Sequence, residues 1–404
     1  MSTPAAAIFS CTLLPASETF IRAQGESLRR YRPHYVGCRP VAGLELPADR
    51  TIAVNNGGRA GKLAEAVFKY TGRCPLLERR LAAVRPRLIH AHFGTGGALA
   101  LPLARRLGLP LLVTYHGADA TTLDDAWRRG SHTHRIYLRR RPHLFREARL
   151  FIAVSEFIRA KLIAQGVPQD RVAVHYIGID TDYFAPQRGT SDPREPTVLF
   201  VGRLTEKKGC EYLIRAMARV QAKHPRAVLK VIGEGPLRGM LEGIARSSLT
   251  RCEFLGLQPH DVIRREMAAA RVFCAPSVTA DNGDAEGFGL VFAEAQAMGT
   301  PVVSSASGGI PEAVAHGRTG FLAPERDVNG LTRGLLDLIE NDDLWQSFSA
   351  AGRELVCSRF DLTKQTRLLE SLYDAVTGAE AVADEARGTR REKLDKSRVQ
   401  YAAG

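Results

Sequence analysis

The sequence predicts an α/β protein of two doubly wound domains facing each other across a cleft, and three observations predict it. Short, β-branched apolar runs alternate with longer amphipathic stretches through most of the chain. The runs are almost continuously apolar, as strands are when helices cover both faces of a parallel sheet. A polar run with three prolines, Pro186 to Pro196, then divides the pattern into two units of similar size. The expected domains are residues 1–187 and 188–358.

The elements follow in order. The N-terminal stretch MSTPAAAIFSCTLLPASETF has no basic residues ahead of its apolar core, so it reads as a first strand and not as a signal peptide. In the first unit Leu111–Tyr115, Leu150–Val154 and Val172–Ile177 are strand candidates. In the second they are Thr197–Val201, Val228–Ile232, Val272–Ala275 and Pro301–Ser304. Between these lie helical patterns at Glu211–His224, Leu237–Arg246 and Leu290–Met298. The final segment, 378–404, is charged and poor in aromatics and is expected to be a disordered tail.

Composition bounds the function. With 404 residues, 45% hydrophobic and 25% charged, the chain has enough apolar material for ordinary cores. Its 56 Lys and Arg against 43 Asp and Glu give +13, which favours anionic partners such as phosphates, nucleic acid or an anionic membrane surface. The seven cysteines are scattered without a CxxC pair, which points to a reduced, cytoplasmic protein without a zinc site. No run reaches the ~20 apolar residues of a membrane-spanning helix.

In doubly wound domains ligands bind beyond the C-terminal ends of strands, so the loops there deserve the closest reading. After Thr197–Val201 comes Gly202-Arg203-Leu204-Thr205-Glu206-Lys207-Lys208-Gly209. Arg203 offers a bidentate fork for phosphate and Lys208 a mobile point charge. After Val228–Ile232 comes Gly233-Glu234-Gly235-Pro236, a weak glycine pair that suits a tight turn as well as a ligand. The third loop, Asp284 to Leu290, places two glycines around Phe288 ahead of a helix, leaving amides free for an anion. Its carboxylates Glu286 and Glu294 would stand ~12 Å apart on a single helix, too far for the acid–base pair of a glycoside hydrolase.

The blocks GRLTEKKG, GEGP, APS at 275–277, EGFGLVFAEAQAMGTPVV and SSASGGIPEAVAHGRTGFL cover 197–323 in order. Together they resemble the retaining nucleotide-sugar glycosyltransferases of the GT-B fold, family 4, whose E-x7-E pair falls on Glu286 and Glu294. The resemblance implies two Rossmann-like domains, with a helix at 359–377 returning to the first. It implies that Arg203 and Lys208 neutralise the donor diphosphate. Gly202, Gly233, Gly235, Phe288, Gly289 and Leu290 line the donor site; Glu286 holds the sugar, and Glu294 the ribose. Arg271, where relatives often carry Asp, is a departure.

In the first unit His116-Gly117-Ala118-Asp119 follows a strand, and the resemblance makes His116 a catalytic residue at the sugar, with Asp119 orienting it or a hydroxyl. Ser17-Glu18-Thr19 and His90-Ala91-His92-Phe93-Gly94 resemble a subgroup from exopolysaccharide and colanic-acid-like assembly, so Ser17, Glu18, Thr19 and His92, together with Asp119, are acceptor-side candidates. Asp180-Thr181-Asp182 spells DxD but sits outside any catalytic loop and is expected to form turn hydrogen bonds. No cofactor and no metal is expected, because Arg203 and Lys208 supply the positive charge. Asp281 and Asp284 are the weaker cation candidates.

The basic run Arg128 to Arg149 has eight arginines and one glutamate. It is read as a solvated helix face or as a peripheral contact with anionic membrane, where a lipid-linked acceptor would reside. No motif supports nucleic acid. The function implied is hexose transfer from a nucleotide-diphosphate sugar to a glycan or lipid-linked saccharide in bacterial exopolysaccharide, capsule or lipopolysaccharide assembly. The expected location is the cytoplasm or the inner face of its membrane. The alternatives are a nucleotide-sugar epimerase-like enzyme and a non-catalytic nucleic-acid or membrane-binding protein.

Overall fold

The computed structural model describes residues 3–186 and 195–378. The domain boundary at 187/188, most of the proline-rich run and the C-terminal segment read as a tail lie outside the described residues. The first sheet has seven parallel strands, in chain order β1 (Ala5–Leu13), β2 (Arg32–Pro40), β3 (Thr51–Ala53), β4 (Pro86–His92), β5 (Leu111–Tyr115), β6 (Leu150–Ala153) and β7 (Val172–Val174). Their spatial order is β3-β2-β1-β4-β5-β6-β7. The second has six, β8 (Thr197–Val201), β9 (Val228–Ile232), β10 (Cys252–Gly256), β11 (Val272–Cys274), β12 (Val302–Ser305) and β13 (Gly320–Ala323), ordered β10-β9-β8-β11-β12-β13. In both, the order reverses beside the first strand, which opens a crevice at the C-terminal strand ends.

Alternation along β1 shows why the first sheet needs helices on both faces. Ala7 and Phe9 point into a core shared with α2 (Gly58–Thr71), α3 (Pro75–Val84), α4 (Phe93–Leu107) and α5 (His132–Glu147). Ala6 and Ile8 point the other way, into a cluster with Ile21 of α1 (Thr19–Glu26). That second cluster also takes in Leu369 and Tyr373 from the last described helix, Leu362–Thr377. Asp361 starts this helix by accepting from the Lys364 amide at 2.9 Å. Glu370 then accepts from the amides of Arg29 and Arg30, and Asp374 from the Tyr31 hydroxyl.

Two sequence features acquire structural roles. Arg271 is buried, donates to the Leu338 carbonyl and to Asp342, and lies over the Trp345 ring, so it ties β11 to the helices Val328–Glu340 and Asp342–Arg359. In the DxD segment Asp180 Oδ1 accepts from the amides of Asp182 and Tyr183, while Thr181 donates to Asp361. This is the turn chemistry expected of it.

Candidate active site

The second domain builds its side of the cleft by backbone-to-backbone packing. A Cβ on Gly233, whose φ is 140°, would meet the Gly202 carbonyl oxygen at 1.9 Å. One on Gly235 would meet the Leu204 carbonyl oxygen at 2.4 Å. The glycine pair therefore lets the loops after β8 and β9 interlock, and presents no polar side chain to a ligand. The loop after β11 is fastened to the first by the Val278 amide on the Lys207 carbonyl, 2.8 Å.

On this frame the charges converge. Lys208 pairs with Glu286, and Lys207 pairs with Asp284 at 2.9 Å. Burial alone would push the Glu286 carboxyl up, but Lys208, Lys207 and Arg203 together hold it at about 2. Arg203 is exposed and forms no ion pair among the described residues, so its guanidinium is free for an anion. Glu286 and Glu294 do not share a helix. Glu286 lies in the loop, and Glu294 in α6 (Leu290–Ala297), which Gly289 enters at φ 84°. The ~12 Å spacing of a single helix therefore does not apply. Burial pushes the Glu294 carboxyl up to about 7, and no partner among the described residues offsets that. The Phe288 ring points away from the donor loops and packs between Tyr176 and Phe360, with centroids at 5.5 and 4.9 Å. What Phe288 offers a ligand is its backbone.

The first domain faces this loop directly. A Cβ on Gly287 would lie 2.0 Å from the His116 carbonyl oxygen, and the Ser155 hydroxyl donates to the Gly287 carbonyl at 2.6 Å. Asp119 holds the opposing turn. Its carboxylate accepts from the amides of Gly94, His116 and Gly117 at 2.9–3.0 Å, so it ties the β4 and β5 loops together and orients His116. Those bonds occupy the carboxylate and leave it little capacity for an acceptor hydroxyl. Burial raises it to about 6 despite them.

His116 sits in an aromatic box. Phe93 and Phe20 lie 4.6 and 5.0 Å away by ring centroid, and Phe93 holds a φ of 65° that a non-glycine residue rarely adopts. Burial, and next the His90 charge, pull the imidazole down to about 3, so it is neutral at pH 7. His92 Nδ1 lies 3.1 Å from His116 Nε2, and His116 Nδ1 is buried with no partner among the described residues. Behind them His90 bonds the Tyr373 hydroxyl and Thr114, both at 2.6 Å. Glu18 carries a second orphan, Oε2, and burial, then Cys11, raise it to about 7. Ser17 is exposed and Thr19 half-buried beside it. Sequence reasoning gave no role to Phe93 or Lys207, and read Asp284 only as a weak cation candidate, whereas its carboxylate pairs with Lys207. That ion pair joins loops 77 residues apart, which no local pattern shows. Among the described residues no three His, Cys, Asp or Glu side chains cluster as a metal site.

Comparison with known proteins gives the family and the fold. The signature described as glycosyl transferases group 1 matches residues 184–355, and that of glycosyltransferase family 4 matches 27–183. The putative colanic acid biosynthesis glycosyltransferase WcaL of Salmonella typhimurium is 32% identical over 295 residues, 71% of this chain and 70% of WcaL. This chain belongs to the family 4 glycosyltransferases. Sucrose-phosphate synthase of Thermosynechococcus elongatus superposes with a TM-score of 0.75 at 24% identity, over 94% of this chain and 100% of that one. HepE of Anabaena, solved with UDP, gives 0.72 at 22% over 92% and 100%. The glycosyltransferase thus has the GT-B fold. None of its described helices is long and apolar enough to cross a membrane.

Proposed function

We propose that this glycosyltransferase moves a hexose from a nucleotide-diphosphate sugar to a glycan or lipid-linked saccharide with retention of configuration, in exopolysaccharide assembly. The observation that carries the reading is the placement of Arg203, Lys208 and Glu286 against the His116–Gly117 turn. The diphosphate binds Arg203 and Lys208, with Lys208 moving from Glu286 towards phosphate. The amides at the start of α6 take the distal phosphate. Glu286 accepts from sugar hydroxyls and Glu294 from the ribose. His116 Nδ1 and Glu18 receive hydroxyls on the acceptor side.

The bond from the anomeric carbon to the phosphate oxygen breaks, and the acceptor oxygen bonds the same face of that carbon. The departing phosphate oxygen takes the acceptor's proton. Fixed charges aimed at the leaving diphosphate do most of the work, and neither a protein nucleophile nor a metal takes part. The likeness to WcaL supports the exopolysaccharide assignment. HepE makes UDP the first nucleotide to try.

The test is a melting-temperature panel of UDP, GDP and ADP in EDTA, followed by NMR of the transfer product. One diphosphate raising the melting temperature in EDTA is expected, because a ligand that binds only the native state stabilises it. An axial product from an axial donor is expected with it. Stabilisation only on adding a divalent cation, or an inverted anomeric centre, would refute the mechanism.

A further inference from the structure

One carboxylate that the transfer step does not touch reaches across from the second domain to the first. Glu312 lies in the short helix Ile310–Ala313 of the second domain, yet its described side-chain partners all belong to the first. Its Oε2 accepts from the Glu156 amide at 2.8 Å and from the Tyr176 hydroxyl at 3.0 Å, and its Oε1 accepts from the Phe157 amide at 3.0 Å. Those two amides open the helix Glu156–Ala164, where the first turn has no intrahelical acceptors and the dipole favours an anion. Ser155, the residue that precedes this helix, uses its hydroxyl in both directions. The oxygen accepts from the Ile158 amide at 3.2 Å, and the proton goes to the Gly287 carbonyl at 2.6 Å. One helix end in the first domain is therefore capped partly by its own chain and partly by the second domain.

The turn that precedes Glu312 carries the loop on which the reaction depends. The Gly309 amide donates to the Glu286 carbonyl at 2.9 Å. A Cβ on Gly308 would lie 2.2 Å from the Glu286 carbonyl oxygen, and one on Gly309 2.0 Å from that of Gly287. The two segments thus lie backbone against backbone, with no slack between them. Tyr176 adds a second link, because its hydroxyl donates to Glu312 while its ring packs on Phe288, 5.5 Å away by centroid. The carboxylate that grips the first domain stands three residues from the amide that grips Glu286. Hydrogen bonds to a charged acceptor are about twice as strong as neutral ones, and two amides bound at once fix direction as well as distance.

We propose that Glu312 is a positioning residue: by capping the helix Glu156–Ala164 across the domain interface, it holds the Glu286–Gly287 loop in place against the His116–Gly117 turn. It touches neither donor nor acceptor and acts through the loop that it braces. Its effect on rate rests on the transfer reading above, whereas the clasp itself does not. When the domains part, the Glu156 and Phe157 amides exchange their partner for water, so the clasp favours the closed arrangement in which both halves of the site meet.

The test compares full-length wild type with E312A and E312Q. In hydrogen exchange read by mass spectrometry, the Glu156 and Phe157 amides are expected to exchange about tenfold faster in E312A, on the scale of a lost charge-assisted hydrogen bond. E312Q keeps one acceptor oxygen in place of two and is expected to fall between. In single-turnover transfer, E312A is expected to slow the chemical step by about 10²-fold, the scale of a reacting centre misplaced by an ångström. Its affinity for whichever of UDP, GDP or ADP stabilises wild type is expected to stay within about twofold in calorimetry, since the diphosphate ligands lie in one domain. Wild-type exchange at Glu156 and Phe157 in both variants overturns the clasp. A transfer rate within about twofold of wild type, or a lowered rate matched by an equal loss of diphosphate affinity and melting temperature, overturns the positioning role. Should E312A fail to fold, E312Q decides by the same criteria. If wild type itself binds no diphosphate and transfers no sugar, the transfer reading falls, and the exchange measurement still decides the clasp.

Discussion

Replacing Glu294 with Gln should make the unliganded protein more stable and a worse binder of nucleotide. The carboxyl titrates at about 7 in the fold against 4.5 ordinarily, because burial disfavours its charge. A folded value above the unfolded one contributes stability that is complete below pH 4.5 and is lost as pH rises through 7. At 1.36 kcal/mol per tenfold in proton affinity, the loss by pH 8 is about 3 kcal/mol. The side chain keeps some contact with solvent, so that figure is a ceiling. Glutamine cannot ionise and avoids the loss. By differential scanning fluorimetry, Glu294→Gln should melt several degrees above wild type at pH 8 and close to it at pH 5, given about 2–4 °C per kcal/mol for a domain of this size. The same variant should need more nucleoside diphosphate for a given rise in melting temperature, because it loses a charged acceptor for ribose hydroxyls. A melting difference that is flat between pH 5 and 8 would refute the burial argument. Undiminished nucleotide binding would refute the ribose role.

Three further outcomes follow from the same geometry. Arg203→Ala should lower kcat/KM by about 10²-fold, the usual scale for one charge-stabilising group, with the melting curve unmoved because the side chain is exposed and unpaired; steady-state kinetics and fluorimetry check both halves. Glu286→Gln should abolish an acid-dependent contribution: a carboxyl held at about 2 stabilises the fold above pH 4.5 and loses that effect as pH falls towards 2. Wild type should therefore exceed the variant by about 3 kcal/mol in urea unfolding at pH 7 and approach it near pH 2. Gly287→Ala places a methyl group 2.0 Å from the His116 carbonyl oxygen, so the domains must part; transfer should collapse while diphosphate binding, measured by calorimetry, persists.

The strand–loop–helix units of the second domain were largely legible, because each is local. Val228–Ile232 was read to the residue, and the Gly202–Gly209 and Asp284–Leu290 loops stand where doubly wound topology puts ligands. Relations across the chain were not. Nothing near Asp119 shows that its carboxylate binds the Gly94 amide, because that depends on β4 lying beside β5. The histidines at 90, 92 and 116 could be noticed individually, but their proximity follows from strand register and the His116 turn. The alternation in α2 shows two kinds of face without saying which meets the sheet. The answer, that Phe68 goes in and Leu63, Val67 and Tyr70 go out, depends on packing against Phe9, 6.1 Å away by ring centroid.

The last described helix, Leu362–Thr377, has a consequence for synthesis. It closes the core on one face of the first sheet, where Leu369 and Tyr373 pack among Ala6, Ile8 and Leu112, and its acids bind the amides of Arg29 and Arg30. The first domain, made before the second, is therefore finished by a helix made after the second. While the ribosome makes the second domain, the nascent first domain keeps an unfinished apolar face and relies on chaperones or on partial collapse to stay in solution. A nonsense codon between Glu294 and Leu362 would spare every catalytic side chain named above and still leave that face bare. Such truncations should be cleared as misfolded protein instead of persisting as inactive enzyme.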